Sequence, residues 1–227
     1  VVLMNGRPLQ INWMAENVPA IVEAWHLGSE AGNAIADVLF GDYNPSGKLP
    51  VSFPRSVGQL PLYYNYLNTG RPVNENDNVF WSHYTDELNE PLFPFGYGLS
   101  YTTFEYSNLQ LSKDVLEKNG RMTISVDLKN TGERAGEEVV QLYIRDLVGS
   151  LSRPVKELKG FEKINMEPGQ QKSVTFSITP DDLAFYGASG EWRAEPGRFK
   201  VWVGPHSAKG LEGNFELRDK IHEPPKY

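Results

Sequence analysis

The sequence predicts two unlike units in tandem, an incomplete α/β segment followed by an all-β sandwich. Three observations point there. Ala31, Ala34, Ile35, Val38 and Leu39 recur at helical spacing between short apolar runs of strand type. From Tyr101 onward the apolar positions recur with period two, the signature of half-buried strands. Charge and composition shift near Gly96–Leu99: residues 1–97 carry 4 basic and 10 acidic residues, net −6, whereas residues 98–227 carry 18 and 19, net −1.

Taken in order, Val1-Val2-Leu3-Met4 is a continuous apolar run before Asn5-Gly6, as expected of a strand covered on both faces. Pro19–Trp25 reads as a second strand. The helix follows within Gly28–Gly41, with Ser29 as its expected N-cap and Gly41 as the glycine that closes it. Asp42–Gly47 is a turn, with Asp42 suited to an Asx-turn, and Leu49–Phe53 is a strand candidate between Pro50 and Pro54. This strand–strand–helix–strand order cannot close a parallel sheet, because one helix covers only part of one face. Further strands and helices are expected upstream, the more so because the chain opens at Val1 inside an apolar run.

Residues 56–97 lack periodicity but hold Tyr63, Tyr64, Tyr66, Phe80, Trp81, Tyr84, Phe93, Phe95 and Tyr97. So many aromatics argue against disorder and for an ordered loop wrapped over another surface. Then Met122, Ile124, Val126 and Leu128 alternate with polar residues, as do Val140, Leu142 and Ile144; Val174, Phe176 and Ile178; and Phe199, Val201 and Val203. Turn signals at Asn130-Thr131-Gly132, Glu167-Pro168-Gly169 and Glu195-Pro196-Gly197 separate these runs. Roughly seven short strands at such spacing describe an antiparallel β-sandwich. A frayed tail is expected from Ile221 with Pro224-Pro225.

Composition excludes several chemistries. The 227 residues contain no cysteine, which removes disulfides, thiolate zinc sites and cysteine nucleophiles. Lys plus Arg is 22 against 29 Asp plus Glu, a poor balance for nucleic-acid binding, which needs a basic surface. No apolar run approaches the ~20 residues of a membrane span. His26, His83, His206 and His222 are not at metal-ligand spacing, so no metal is assigned. Gly6, Gly47, Gly96 and Gly98 fit tight turns rather than a phosphate loop, for no G-x-G-x-x-G accompanies a strand–helix turn.

Three strings carry a resemblance: Leu3-Met4-Asn5-Gly6-Arg7-Pro8-Leu9, the stretch Gly32-Asn33-Ala34-Ile35-Ala36-Asp37-Val38-Leu39-Phe40-Gly41 with Asp42 to Pro50 after it, and Pro94-Phe95-Gly96-Tyr97-Gly98-Leu99-Ser100-Tyr101. With Ser152–Lys163 and Glu195-Pro196-Gly197 further on, the chain resembles the C-terminal third of glycoside hydrolase family 3, in its branch of periplasmic-type β-glucosidases. The resemblance implies the C-terminal part of an α/β sandwich domain over residues 1–58, an aromatic-rich connecting loop over 59–97, a fibronectin type III-like, immunoglobulin-like β-sandwich over 98–219, and a tail over 220–227. It implies retaining hydrolysis of β-linked glucosides, a β-linked oligosaccharide as substrate, no cofactor, and a periplasmic or secreted location. It further implies partners in an N-terminal barrel and the rest of the α/β domain, and it leaves room for a homodimer. A family 3 β-xylosidase and a non-catalytic carbohydrate-binding or scaffold module are the alternatives.

A retaining glycosidase needs two carboxyl groups ~5–5.5 Å apart. No such pair is legible here, and neither of the family's catalytic motifs is present, so no catalytic residue is assigned and the chain alone is expected to be inactive. Asp86-Glu87 comes nearest, but neighbours on an extended segment point to opposite sides, and solvated loop charges are the plainer reading. Glu30 and Asp37 are expected to serve the helix. Trp81, His83 and Tyr84 are the candidate substrate-binding residues, because an aromatic plate with polar neighbours suits a sugar's flat face and hydroxyl rim. The alternative is that they fasten the loop to a neighbouring domain. Trp202, on the polar phase of its strand, is expected to pack on the preceding domain rather than bind polysaccharide.

Overall fold

The computed structural model describes residues 1–71 and 80–219. The tail expected beyond residue 219 lies outside the described residues, as does the middle of the connecting loop.

β1 (Val2–Leu3) and β2 (Val22–Glu23) pair in parallel, Val2 opposite Val22 and Leu3 opposite Glu23. The expected cover on both faces is not found within the described residues: Val1 is 54% and Met4 63% exposed, and Leu3 alone is covered. Leu3 packs with Ile11 and Phe53 in a small core that Trp25, Leu49 and Phe93 complete. Ile11 begins a helix that periodicity does not reveal, α1 (Asn12–Asn17). It is a six-residue helix with asparagine at both ends, too short for a repeat to register. α2 (Ala31–Phe40) ends at Gly41 as expected and begins one residue later than a Ser29 cap would place it. Gly41 closes it at φ +85°, its N–H donating to the carbonyls of Asp37 and Val38. Ser29 is not its cap. It lies in a 3₁₀ turn over Gly28–Glu30, and the Glu30 carboxylate accepts from Asn33 Nδ2 at 2.7 Å.

The Leu49–Phe53 strand is reduced to anchor points. Pro50 and Pro54 have no N–H to offer a ladder. What remains is Leu49 N to Tyr97 O, Gly96 N to Leu49 O, Phe53 N to Phe93 O and Leu92 N to Phe53 O, each 2.8 Å.

The sandwich is as periodicity predicts. β3 (Phe104–Leu111), β5 (Met122–Asn130) and β8 (Gln171–Ile178) form one sheet in the order β3-β5-β8. β4 (Val115–Glu117), β6 (Gly136–Asp146), β7 (Glu157–Met166), β11 (Gly197–His206) and β12 (Lys209–Arg218) form the other, in the order β4-β12-β11-β6-β7. All pairings are antiparallel except the short β4–β12 pair. A hairpin of β9 (Phe185–Tyr186) and β10 (Trp192–Arg193) stands apart. The alternating residues named above make a single core between the sheets, with the Phe199 and Phe215 rings stacked at 5.1 Å.

β6 is buried on both faces: Glu138 lies on the core-facing phase with Val140, Leu142 and Ile144, and Gln141 and Tyr143 lie on the outer phase, where the loop packs. Glu138 takes Lys48 Nζ at 3.0 Å and the Tyr106 hydroxyl at 3.0 Å, and Lys48 also donates to Gly98 O. Gln141 Nε2 donates to Gly96 O at 3.0 Å and to Pro205 O at 2.6 Å. Tyr143 packs edge-on against Tyr64, which stacks on Phe95 at 4.1 Å. Tyr64 Oη accepts from Leu158 N, and Val155 N donates to Tyr66 O. The stretch around Tyr64–Leu67 therefore straps the sheet, which agrees with a loop ordered over another surface. Trp202 departs from expectation: its ring lies 4.2 Å beneath Lys156 Nζ and its indole N–H donates to Glu212 at 2.9 Å. Both partners belong to the sandwich half of the chain, and a cation over the face with a carboxylate at the edge satisfies the indole without a neighbouring domain.

Candidate functional site: an aromatic pair on a braced turn

The candidate residues sit on a turn held from below by amides. Ser56 caps a 3₁₀ turn over Val57–Gln59, its hydroxyl accepting from Gly58 N. Gln59, 3% exposed, spans the gap to the turn. Its Oε1 accepts from Arg55 N at 2.7 Å and its Nε2 donates to Leu88 O at 2.7 Å. Arg55 Nε donates to Glu90 O at 3.1 Å. Asn89 closes the turn on itself, donating from Nδ2 to Ser82 O at 2.7 Å and accepting from Tyr84 N at 3.2 Å. Ser82 N donates to Arg71 O at 3.0 Å, which ties the turn to the strap. A buried amide with both ends matched fixes its neighbours firmly, since losing either bond leaves a desolvated group unpaired.

On this base the rings of Trp81 and His83 stack, centroids 4.3 Å apart and planes 29° from parallel. His83 Nδ1 lies 2.8 Å from Trp81 O. Trp81 is half-buried, His83 is exposed and Tyr84 is 43% exposed. Two of the three candidates are thus brought together, while Tyr84 stands on the same turn outside the ring pair. Phe80, beside them, has the Arg71 guanidinium 5.9 Å from its ring. The residues that brace the turn, Arg55, Gln59 and Asn89, escaped the sequence reading. Ser56-Val57-Gly58-Gln59 carries the S-x-x-Q spacing of a capping box and was the available signal.

Two hollows lie elsewhere. A groove of about 410 Å³ between β2 and α2 is lined by Glu23 and Asp37 among apolar side chains. Glu23 Oε1 accepts from Trp25 N at 3.1 Å, and its Oε2 is buried with no hydrogen-bond partner among the described residues. Burial pushes its pKa above the ordinary carboxylate value, and the Trp25 amide and the Asn5 side chain offset part of that. A polar recess of about 480 Å³ lies between Asn68–Gly70 and the 145–153 turn. Its Asp146 is likewise raised by burial and accepts from Val148 N, with Arg153 Nε 3.8 Å away. Arg153 stacks 3.9 Å over Phe185 and pairs with Glu157 at 2.9 Å. These are bracing contacts of a loop. Asp86 is exposed and Glu87 Oε1 accepts from Leu88 N at 2.9 Å, as loop charges do. Among the described residues no group of three or more His, Asp or Glu side chains is placed to hold a metal ion.

Residues 1–101 match the glycosyl hydrolase family 3 C-terminal domain, and residues 138–207 match the fibronectin type III-like domain. A periplasmic β-glucosidase of Salmonella typhimurium is 56% identical over 218 residues, which is 96% of this chain and 28% of that protein. The chain belongs to glycoside hydrolase family 3. A β-xylosidase of Formosa agariphila is 45% identical, over 91% of this family 3 chain and 28% of its own length. Among solved structures, the crystal structure of a mutant β-glucosidase from Listeria innocua in complex with laminaribiose superposes with TM-score 0.89 at 43% identity, over 96% of this chain and 30% of that one. This family 3 chain therefore spans under a third of the length of the relatives it matches.

Proposed function

We propose that this chain is the C-terminal portion of a retaining, exo-acting β-glucosidase that removes terminal β-D-glucosyl residues from oligosaccharides or glycosides, with both catalytic carboxylates in upstream residues. The observation that carries the proposal is the 56% identity across 96% of the chain to a protein named as a periplasmic β-glucosidase. One oxygen of each of Glu23 and Asp146, in the two hollows, is taken by a backbone amide, which fits carboxylates that brace the chain. The contribution of this portion is architectural. It adds strands and a helix to the α/β domain, and it braces that domain through β6 and the strap.

Trp81, His83 and Tyr84 line the approach to a sugar subsite. Support comes from the stacked pair, exposed at His83, and from the braced turn that holds it. The boundaries at residues 58, 97 and 219 follow the same reading, and so does a periplasmic or secreted location. The Salmonella relative's name supports that location, and among the described residues no helix is long and apolar enough to cross a membrane.

The test is hydrolysis of an aryl β-glucoside. The complete gene product hydrolyses it with retention, and residues 1–227 alone do not. Activity of residues 1–227 that a single point mutation abolishes overturns the assignment of both carboxylates upstream. In the complete protein, Trp81→Ala raises KM for a β-linked glucose disaccharide. The 45% identity to a β-xylosidase favours a second reading, a family 3 β-xylosidase. The ratio of kcat/KM on aryl β-glucoside and aryl β-xyloside decides between them, and light scattering of the complete protein decides whether it is the homodimer that the family likeness allows.

A further inference from the structure

We propose that His83 is a specificity-determining residue that accepts a hydrogen bond from a saccharide hydroxyl through Nε2, in a tautomer fixed by the carbonyl of Trp81. This rests on the reading of the Trp81 turn as a sugar subsite.

His83 Nδ1 lies 2.8 Å from the carbonyl oxygen of Trp81. A backbone carbonyl can only accept, so the proton of that bond belongs to Nδ1. A neutral imidazole carries one N–H. In the neutral ring with Nδ1 protonated, Nε2 holds a lone pair, and it has no partner among the described residues. The ring cannot easily turn away. Trp81 covers one imidazole face at 4.3 Å, and the carbonyl holds one edge. The opposite edge therefore faces outward as an acceptor of fixed direction.

That acceptor is prepaid in entropy, because the turn beneath it is already ordered. Gln59 holds Leu88, Asn89 holds Ser82 and Tyr84, and Arg55 holds Glu90. Binding to a group held this way loses little conformational freedom. The chemistry also selects among ligands. A fixed lone pair beside an indole suits a neutral group that offers an O–H and a flat C–H face, which is a pyranose. A fully ionised phosphate or carboxylate has no proton to donate and meets the lone pair unfavourably. A site that takes a hydrogen bond from a substrate hydroxyl also disfavours the analogue lacking it.

The test uses the complete protein with cellobiose and a set of cellobiose analogues that each lack one hydroxyl. Two variants separate the roles of the ring. His83→Phe keeps a ring to stack on Trp81 and removes both nitrogens, and His83→Asn keeps a donor for the Trp81 carbonyl but has no acceptor at the Nε2 position, its amide oxygen lying on a shorter side chain. Both are expected to raise KM for cellobiose about 2- to 10-fold, the range of one neutral hydrogen bond, with kcat within about twofold. One deoxy analogue is expected to bind the wild type worse by the same factor, with the loss abolished in His83→Phe. If Trp81→Ala raises KM while both His83 variants leave KM and the deoxy pattern unchanged, the inference fails and the subsite reading stands. If Trp81→Ala leaves KM unchanged, the subsite reading itself fails. A fall in Tm with no change in KM in the His83 variants assigns the residue a structural role and also overturns the inference.

Discussion

His206 lies edge-on to Tyr97, ring centroids 5.5 Å apart, and its Nδ1 accepts from Ala208 N at 3.3 Å. Burial, and then the positive charges of Lys48, Lys209 and Lys156, lower its pKa from 6.5 to about 4. The unfolded chain takes up this proton near pH 6.5 and the folded chain only near pH 4, so the unfolded state binds more protons between those values. The stability that neutral His206 contributes is present above pH 6.5 and is lost as pH falls toward 4. We expect His206→Gln to lose less stability than the wild type between pH 7 and pH 4, read by urea unfolding at both. Equal losses would refute it. None of this was legible from the sequence, where His206 is one of four scattered histidines. The shift comes first from burial and then from lysines that the fold brings to it, Lys48 and Lys156 among them across 50 residues or more. The stacking of His83 on Trp81 is different in kind. Residues two apart in a tight turn meet by local geometry, so the sequence could mark them as a pair of interest.

At the scale of elements, the period-two runs were reliable because a strand in a sandwich has one face in the core and one in water. β5 shows it: Met122, Ile124, Val126 and Leu128 are fully buried while Thr123 is exposed. Ile124→Ala is expected to cost about 2–5 kcal/mol through the cavity it leaves, and Thr123→Ala to stay within about 0.5 kcal/mol. Urea denaturation of the two variants checks the register, and similar costs would show that the face assignment is wrong. Elements failed where the pattern was too short or lacked donors. α1 has six residues and could not display a helical repeat. The Leu49–Phe53 run has strand composition, but its prolines leave only anchor bonds to residues 92–97. Ser29 has a capping side chain, yet the 3₁₀ turn moves the helix start beyond its reach.

The molecule as a whole is joined through β6, and its most exacting joint is the buried Lys48–Glu138 pair, with side chains 11% and 6% exposed. Burial raises the Glu138 carboxyl above its ordinary value, while Lys48 and Tyr106 act to lower it, and desolvation is the larger effect. Removing one partner of such a pair leaves a buried charge alone, so Lys48→Met is expected to destabilise by about 3–5 kcal/mol. Lys48→Met combined with Glu138→Leu should recover part of that loss, because the stranded carboxylate goes with it. Chemical unfolding of the single and double variants measures this, and a double variant no more stable than the single one would show that the pair is not coupled. By itself the sequence determined the two-part architecture, the sandwich core, the end of α2 and the family, since periodicity, turn residues and long motifs are local and survive in one dimension. Only the tertiary structure decided what lies over the outer face of β6, where Trp202 finds its partners, and how Arg55, Gln59 and Asn89 hold the aromatic turn. Those contacts are single hydrogen bonds and ring contacts, several between residues far apart in sequence, and a single contact leaves no period for a sequence to carry.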